Sequence, residues 1–213
     1  MSVLIKVDIK KWFIGISHNK KPKLYIKENK VKRMNLKNAV KHFKLITKHK
    51  WVVFKLCCMA GIPWRGLMHD LSKYSPTEFL ESIKYYQGTH SPIVEAKKDK
   101  GYSEAWLHHK GRNKHHSEYW IDLDAPEKAP IMPYKYVAEM LCDKLAAGIV
   151  YEGKKWTKEY ELQYWNKEKE KILINEKVKN LVTDFLEQVS QEGIEKVLNK
   201  KNLKDLYKKY CEQ

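Results

Sequence analysis

Residues 36–59 read LKNAVKHFKLITKHKWVVFKLCCM, and this stretch decides the fold class. Positions 42, 45, 46, 49, 52, 53 and 56 hold His, Leu, Ile, His, Val, Val and Leu, which is the i, i+3, i+4, i+7 spacing of one buried helical stripe. The residues that follow, Gly61, Ile62 and Pro63, are typical of a helix end. We therefore predict a helix over residues 36–59, with His42 and His49 facing inward.

Helical periodicity continues outward from this segment along most of the chain. A second element is predicted at 67–73. A third begins at Ser75 and Pro76, where Ser75 would cap the helix and Glu78 would complete a capping box. Residues 123–133 contain three prolines and are predicted to form a loop. Further helices are predicted at 102–110, from 114 to before 122, and at 134–150, 158–171, 176–191 and 203–211. The predicted fold class is all-α, with about seven to nine helices.

The sequence pattern divides the chain into three parts. Residues 1–34 alternate in places, as at Val3, Ile5, Val7 and Ile9, and are treated as an irregular or short-strand N-terminal extension. Residues 35–152 contain the candidate metal ligands described below. Residues 153–213 are rich in Lys and Glu, and we expect them to form helices packed on the same domain.

The composition indicates the class of partner. With 42 basic and 26 acidic residues, the net charge of +16 favours a small phosphorylated substrate or, as an alternative, nucleic acid, although the lysines are dispersed. The four cysteines form no C-x-x-C pair, so no disulfide framework or structural zinc site is predicted. No apolar run approaches the roughly 18 residues of a membrane span, and no leader is evident. We expect a cytoplasmic protein without a membrane partner, and no oligomeric state is predicted.

Imidazole and carboxylate side chains recur on the inward faces of the predicted helices. His69 and Asp70 are adjacent, and His109 and His116 align with the apolar faces of the helices at 102–110 and 114–121. Asp143 shares a face with apolar residues, where an ionised carboxylate without a cation would be costly. Imidazole plus carboxylate is a ligand set for zinc, manganese, iron, nickel or cobalt. One or two divalent transition-metal ions are therefore predicted here.

The adjacent His69 and Asp70 suggest what such ions would do. His69 can act as a ligand while Asp70 bridges two ions about 3.5–4 Å apart, an arrangement suited to phosphoester chemistry. Lys73, one helical turn later, would hold a phosphate or stabilise developing charge. Arg65 and Arg112, the second in a basic turn at 110–114, are further candidates for neutralising a phosphate, with a solvated surface position as the alternative.

The order His, His-Asp, His, His, Asp resembles the HD-domain superfamily of metal-dependent phosphohydrolases. Residues 67–73, LMHDLSK, are similar to its central motif, including a lysine three residues after the aspartate. The stretches GIPWRGLMHD at 61–70 and HHKGRNKHH at 108–116 also resemble an uncharacterised bacterial family of small HD-like proteins. The resemblance covers residues 36–150 and implies an HD-type helical bundle. The metal ligands that it implies are His49 or His42, His69, Asp70, His109, His116 and Asp143.

Two questions stay open at the level of sequence. His49 lies closer to His69 than is usual in the superfamily and His42 gives a more typical separation, while the pairs 108/109 and 115/116 leave the ligand within each pair open. The leading functional prediction is hydrolysis of a nucleotide or other small phosphorylated substrate by a metal-bound hydroxide. The alternatives are an HD-type diiron oxygenase and a non-catalytic, basic nucleic-acid-binding protein.

Overall fold

The fold is helical throughout the part of the chain that the structure describes. A computed structural model describes residues 35–212, and within them ten α-helices and four short 3-10 turns are the regular elements. The helices are α1 (Leu36–Met59), α2 (Pro63–Met68), α3 (Pro76–Tyr85), α4 (Pro92–Lys100), α5 (Glu104–Lys110), α6 (Tyr134–Glu152), α7 (Tyr160–Glu168), α8 (Glu176–Glu192), α9 (Ile194–Val197) and α10 (Lys200–Cys211). The all-α prediction is confirmed. The predicted extension at 1–34 lies outside the described residues.

Helix α1 has the predicted bounds and presents the predicted stripe to the interior. Asn35 caps its start, where the side chain accepts a hydrogen bond from the Lys37 backbone N–H at 2.9 Å. Both histidines of the stripe are buried, together with Ile46, Val53, Leu56 and Cys57. The helix packs against α2 and α6. The 3.6-residue period therefore decided both the helix and the face that it buries.

Helix α6 is buried over most of its surface. Leu141, Cys142, Leu145 and Ala146 are fully buried, as expected for a helix that is apolar all round. It packs against α1, α2, α7 and α10, and the same apolar core continues into α8. Polar side chains on α6 are consequently held inside the protein, where they need charged or hydrogen-bonding partners.

Three local predictions differ from the structure. The predicted element at 67–73 is divided, because α2 ends at Met68 and a 3-10 turn, Leu71–Tyr74, follows. The helix predicted from 114 to before 122 is wrong, since only the 3-10 turn Ser117–Trp120 forms there. Helices α4 and α9 were not predicted, and the ten α-helices of the described residues are one more than the expected range.

Side-chain hydrogen bonds explain why residues 111–116 do not continue as a helix. The Asn113 amide donates to the His109 carbonyl and to the Ser72 hydroxyl, both at 2.8 Å. The Trp120 indole donates to the Lys114 carbonyl at 2.8 Å. Such bonds compete with the helical backbone pattern and hold this segment in tight turns.

Between residues 35 and 212, no helix has both the length and the apolar composition that crossing a bilayer requires.

Candidate metal centre

The His69-Asp70 pair lies at a sharp change of chain direction after α2. Asp70 has φ 51, which makes it the one non-glycine residue with positive φ among those described. The Lys50 ammonium donates to the carbonyls of Leu67 at 2.6 Å and of His69 at 2.8 Å, which satisfies acceptors left by the end of the helix. The side chains of His69 and Asp70 are both buried, with 1% and 3% of each residue exposed. A left-handed aspartate held in a buried turn is a strained conformation of the kind that clusters at functional sites.

A first group of ligand atoms gathers around His69. It comprises His49 of α1, His69, Asp70 and Asp143 of α6, and these atoms lie within 4.8 Å of one another. His49 Nε2 is 2.9 Å from Asp143 Oδ1. His69 Nε2 is 3.1 Å from Asp70 Oδ2 and 3.4 Å from Asp143 Oδ1. The packing of α1 against α6 therefore joins ligands that are 94 residues apart in the chain.

A second group lies on the other side of the same aspartate. It comprises Asp70, His109, His115 and His116. His109 Nε2 is 3.3 Å and His115 Nε2 3.5 Å from Asp70 Oδ1, and His116 Nε2 is 2.9 Å from His109 Nε2. Asp70 therefore directs Oδ2 toward the first group and Oδ1 toward the second.

Two buried glutamates stand behind the histidines. Glu139 Oε1 is 3.1 Å from His69 Nδ1 and Glu78 Oε2 is 2.8 Å from His109 Nδ1. A carboxylate that accepts the Nδ1–H of an imidazole fixes the tautomer in which Nε2 is free to bind a metal. The Arg65 guanidinium donates to the other oxygen of Glu139, with Nε at 2.7 Å. The glutamates thus orient one ring in each group, His69 in the first and His109 in the second.

Several buried ligand atoms have no hydrogen bond of acceptable geometry within the described residues. They are His69 Nε2, both oxygens of Asp70, and both ring nitrogens of His115, with Asp70 Oδ2 in an ion pair with Lys73 Nζ at 2.6 Å. Buried polar atoms are nearly always satisfied, and these atoms lie where the two groups meet. A divalent ion in each group would satisfy them, and nitrogen plus carboxylate oxygen is a donor set for a transition metal. The residues therefore fit metal binding.

The charges in the cluster are strongly coupled. Burial alone would lower the pKa of His69, but Asp70, Asp143 and Glu139 outweigh it and raise that pKa well above the ordinary value. Burial alone would raise the pKa of Asp70, but His69 and Lys73 hold it well below the usual range. Burial and two neighbouring histidines lower the pKa of His116. The neighbouring charges therefore favour the ionised form of Asp70 and the protonated form of His69.

Metal binding should therefore release protons. An ion needs the lone pair of His69 Nε2, and the surrounding carboxylates favour the protonated imidazole, so ion and proton compete for this atom and metal affinity should rise with pH. We expect release of at least about one proton per protein molecule near pH 7. The measurement is calorimetric titration of metal in buffers of different ionisation enthalpy. A binding enthalpy that does not depend on the buffer would contradict the expectation.

A cavity of about 220 Å³ opens onto the cluster. Its lining includes the polar side chains of His49, His109, His116, Asp143 and Lys73 and the apolar side chains of Leu45, Ile46, Trp106 and Val150. Lys73 Nζ lies 2.6 Å from Asp70 Oδ2, so it is the cation closest to the shared aspartate. A cavity lined by these groups and by Lys73 can hold a small anion beside the ligands.

The structure brings together most, but not all, of the residues singled out in the sequence. His42 lies on the cavity wall but in none of the ligand groups, and its ring contacts those of Phe79 and Tyr86. Arg65 reaches Glu139 and not the cavity. Arg112 lies at the surface, with its nearest hydrogen bond to the His108 carbonyl at 3.5 Å. A direct role for these three residues in binding metal or phosphate stays a prediction.

Two members of the cluster were missed in the sequence, and a third was left undecided. The choice between His115 and His116 was open, and because residues 111–116 form turns, both side chains reach the second group. Glu78 was assigned to a capping box, whereas its carboxylate binds His108 and His109. Glu139 precedes Asp143 by one helical turn in an apolar helix, so its carboxylate needs a partner for the same reason as that of Asp143.

Comparison with known proteins gives a family without a known function. No significant match was found among curated proteins or among solved structures. The resemblance to the HD-domain superfamily stays a prediction. Residues 38–188, well over half of the chain, match one family profile. The chain belongs to the family of unknown function DUF5662.

Proposed function

We propose that the chain is a metal-dependent phosphohydrolase acting on a nucleotide or another small phosphorylated molecule. The observation that carries the proposal is the position of Asp70, which belongs to two ligand groups and turns one oxygen toward each. A carboxylate placed in this way can bridge two ions about 3.5–4 Å apart, the separation used in two-metal phosphoester hydrolysis. The backing of the histidines by Glu78 and Glu139 supports a preformed site.

The residues around the ligands have separate tasks in this proposal. Ions bound here would polarise the phosphoryl oxygens and lower the pKa of an attacking water. Lys73, which is partly exposed on the cavity wall beside Asp70, would bind a non-bridging phosphate oxygen. The apolar residues that line the same cavity would reduce its hydration and strengthen these charge interactions.

The proposal is tested with protein loaded separately with zinc, manganese, cobalt, nickel or iron. We expect at least one form to contain two ions per chain and to release phosphate from a panel of nucleotides and generic phosphomonoesters and diesters. No hydrolysis across the panel by fully loaded protein would contradict the proposal. Two irons with dioxygen-dependent substrate oxidation would instead indicate the oxygenase.

The matched variants are Lys73→Gln and Lys98→Gln. Each removes one lysine charge, but the Lys98 side chain is largely exposed and pairs only with Glu95 among the described residues. Loss of a charged group that stabilises the transition state lowers kcat by roughly 100-fold or more. We expect such a loss for Lys73→Gln with the metal content retained, and ordinary activity for Lys98→Gln.

A further inference from the structure

A second cavity, of about 320 Å³, lies beside the metal cavity. The two share Ser91, Ala147 and Tyr151 in their walls. Ala147 and Tyr151 follow Asp143 at one-turn and two-turn spacing on α6, so one helix face runs from the metal ligands into the second cavity. A substrate held at the metals could therefore extend into it.

The second cavity is acidic in a strongly basic protein. The chain carries a net charge of +16, yet the described residues lining this cavity include no lysine or arginine. They include the carboxylates Glu152 and Glu161, and the rings of three tyrosines, Tyr151, Tyr160 and Tyr164. The lining histidine, His90, pairs with Glu95 at 3.0 Å. Carboxylates and aromatic faces together favour a cation.

Glu161 is the distinctive group in this cavity. It is only 5% exposed, and its Oε1 has no hydrogen bond of acceptable geometry among the described residues. Gly148 provides the room for it, because a Cβ at that position would lie 1.6 Å from Glu161 Oε1. Burial raises the pKa of Glu161 to about 7 although Trp156 and Lys144 act in the opposite direction.

No cation among the described residues forms an ion pair with Glu161, although the charge of Lys144 acts on it from farther away. Lys144 forms no ion pair with it within 4.0 Å, and its ammonium lies instead 4.8 Å from the centre of the Trp165 ring. The second carboxylate, Glu152, accepts a hydrogen bond from the Tyr160 hydroxyl at 3.1 Å. A buried carboxyl group that lacks an ion pair, beside three tyrosine rings, is a site where a ligand cation would favour the ionised form and supply the missing partner.

We propose that this cavity binds the ammonium group of a substrate whose phosphoryl group lies at the metal cluster, so that the substrate is a phosphate ester of an amino alcohol. The inference rests on the proposed function and names its substrate class. Gly148, against which Glu161 packs, lies five residues after Asp143, or about 7–8 Å along the helix axis. This span matches a short aliphatic chain between phosphorus and nitrogen.

The probes are 4-aminobutyl phosphate and its isostere n-pentyl phosphate, measured with the metal-loaded full chain. Calorimetry gives the affinities, and phosphate release gives kcat and KM. We expect the amino ester to bind about 10-fold more tightly than the alkyl ester. An affinity difference of this size is expected when an ammonium group contacts aromatic rings and a carboxylate away from water. Glu161→Gln should remove this preference, while binding of the alkyl ester stays unchanged.

The matched control is Glu170→Gln, which removes one carboxylate from a side chain that is 75% exposed and lies outside the cavity. It should retain the preference for the amino ester. Tyr164→Leu, at a half-exposed position, tests the aromatic wall independently if Glu161→Gln fails to fold, and it should reduce the preference.

The outcomes separate this inference from the proposed function. Selective binding of the amino ester without hydrolysis would support the ammonium site and contradict the phosphohydrolase. Hydrolysis of both esters with equal KM would support the phosphohydrolase and overturn the ammonium site. Glu161-dependent binding of a nucleotide with an uncharged base, without preference between the two esters, would also overturn it. Binding of neither ester would overturn it as well.

Discussion

Replacing Asp70 by asparagine is expected to reduce kcat/KM by about 1000-fold or more and to lower the metal content. The reason is that one carboxylate oxygen of Asp70 faces each ligand group. The substitution therefore removes the negative charge that the two groups share. Asparagine has the same shape and tolerates the left-handed conformation at φ 51, so the fold should remain intact. Steady-state kinetics and elemental analysis of the purified variant provide the measurement.

The control for this substitution is Asp205→Asn. Asp205 lies on α10, its side chain is 65% exposed, and its ion pair with Lys201 is 3.9 Å long. Such an exposed pair contributes little. We expect ordinary activity and metal content from this variant. An Asp70→Asn protein that folds and retains both ions and full activity would refute the bridging role of Asp70.

Removal of metal is expected to lower the midpoint of thermal unfolding by about 8–16 °C. Free metal at about 1000 times its dissociation constant stabilises the folded state by about 4 kcal/mol, and each kcal/mol moves the midpoint by about 2–4 °C in a chain of this size. The ligand side chains lie close together only in the folded chain, so metal binds the folded state more tightly than the unfolded state. In the folded state, Asp70, His69 and His115 have buried polar atoms without hydrogen bonds, and a bound ion would contact them. Calorimetric scans before and after chelation measure the difference.

Two histidine variants distinguish stabilisation by metal at the proposed centre from a general effect of metal ions on the unfolding midpoint. His69→Ala removes a ligand of the first group, so its unfolding midpoint should respond little to chelation. His90→Gln alters a histidine outside all ligand groups and should keep the full response. If all three proteins respond equally, the ions stabilise the chain elsewhere and the proposed metal centre is wrong.

The sequence by itself determined the helical body and the inward direction of several ligands. The bounds of α1 and the burial of His42 and His49 followed from a 3.6-residue repeat, which is a local property of the chain. Asp143 was identified in the same way, because an acid on an apolar helix face needs a partner wherever the helix packs. In a regular helix, the spacing of residues along the chain fixes the direction in which each side chain points around the helix axis.

Only the tertiary structure decided which side chains meet. His115 reaches the cluster because side-chain hydrogen bonds hold residues 111–116 in turns, where helical periodicity no longer indicates direction. Glu78 leaves its predicted capping role because histidines on α5 come within hydrogen-bond distance. The packing of α1 against α6 selects His49 over His42 as the histidine that contacts Asp143. Periodicity determines which face of each helix is buried. The distances between these faces depend on how the helices pack against one another, and this packing places the other ligands around the His69-Asp70 pair.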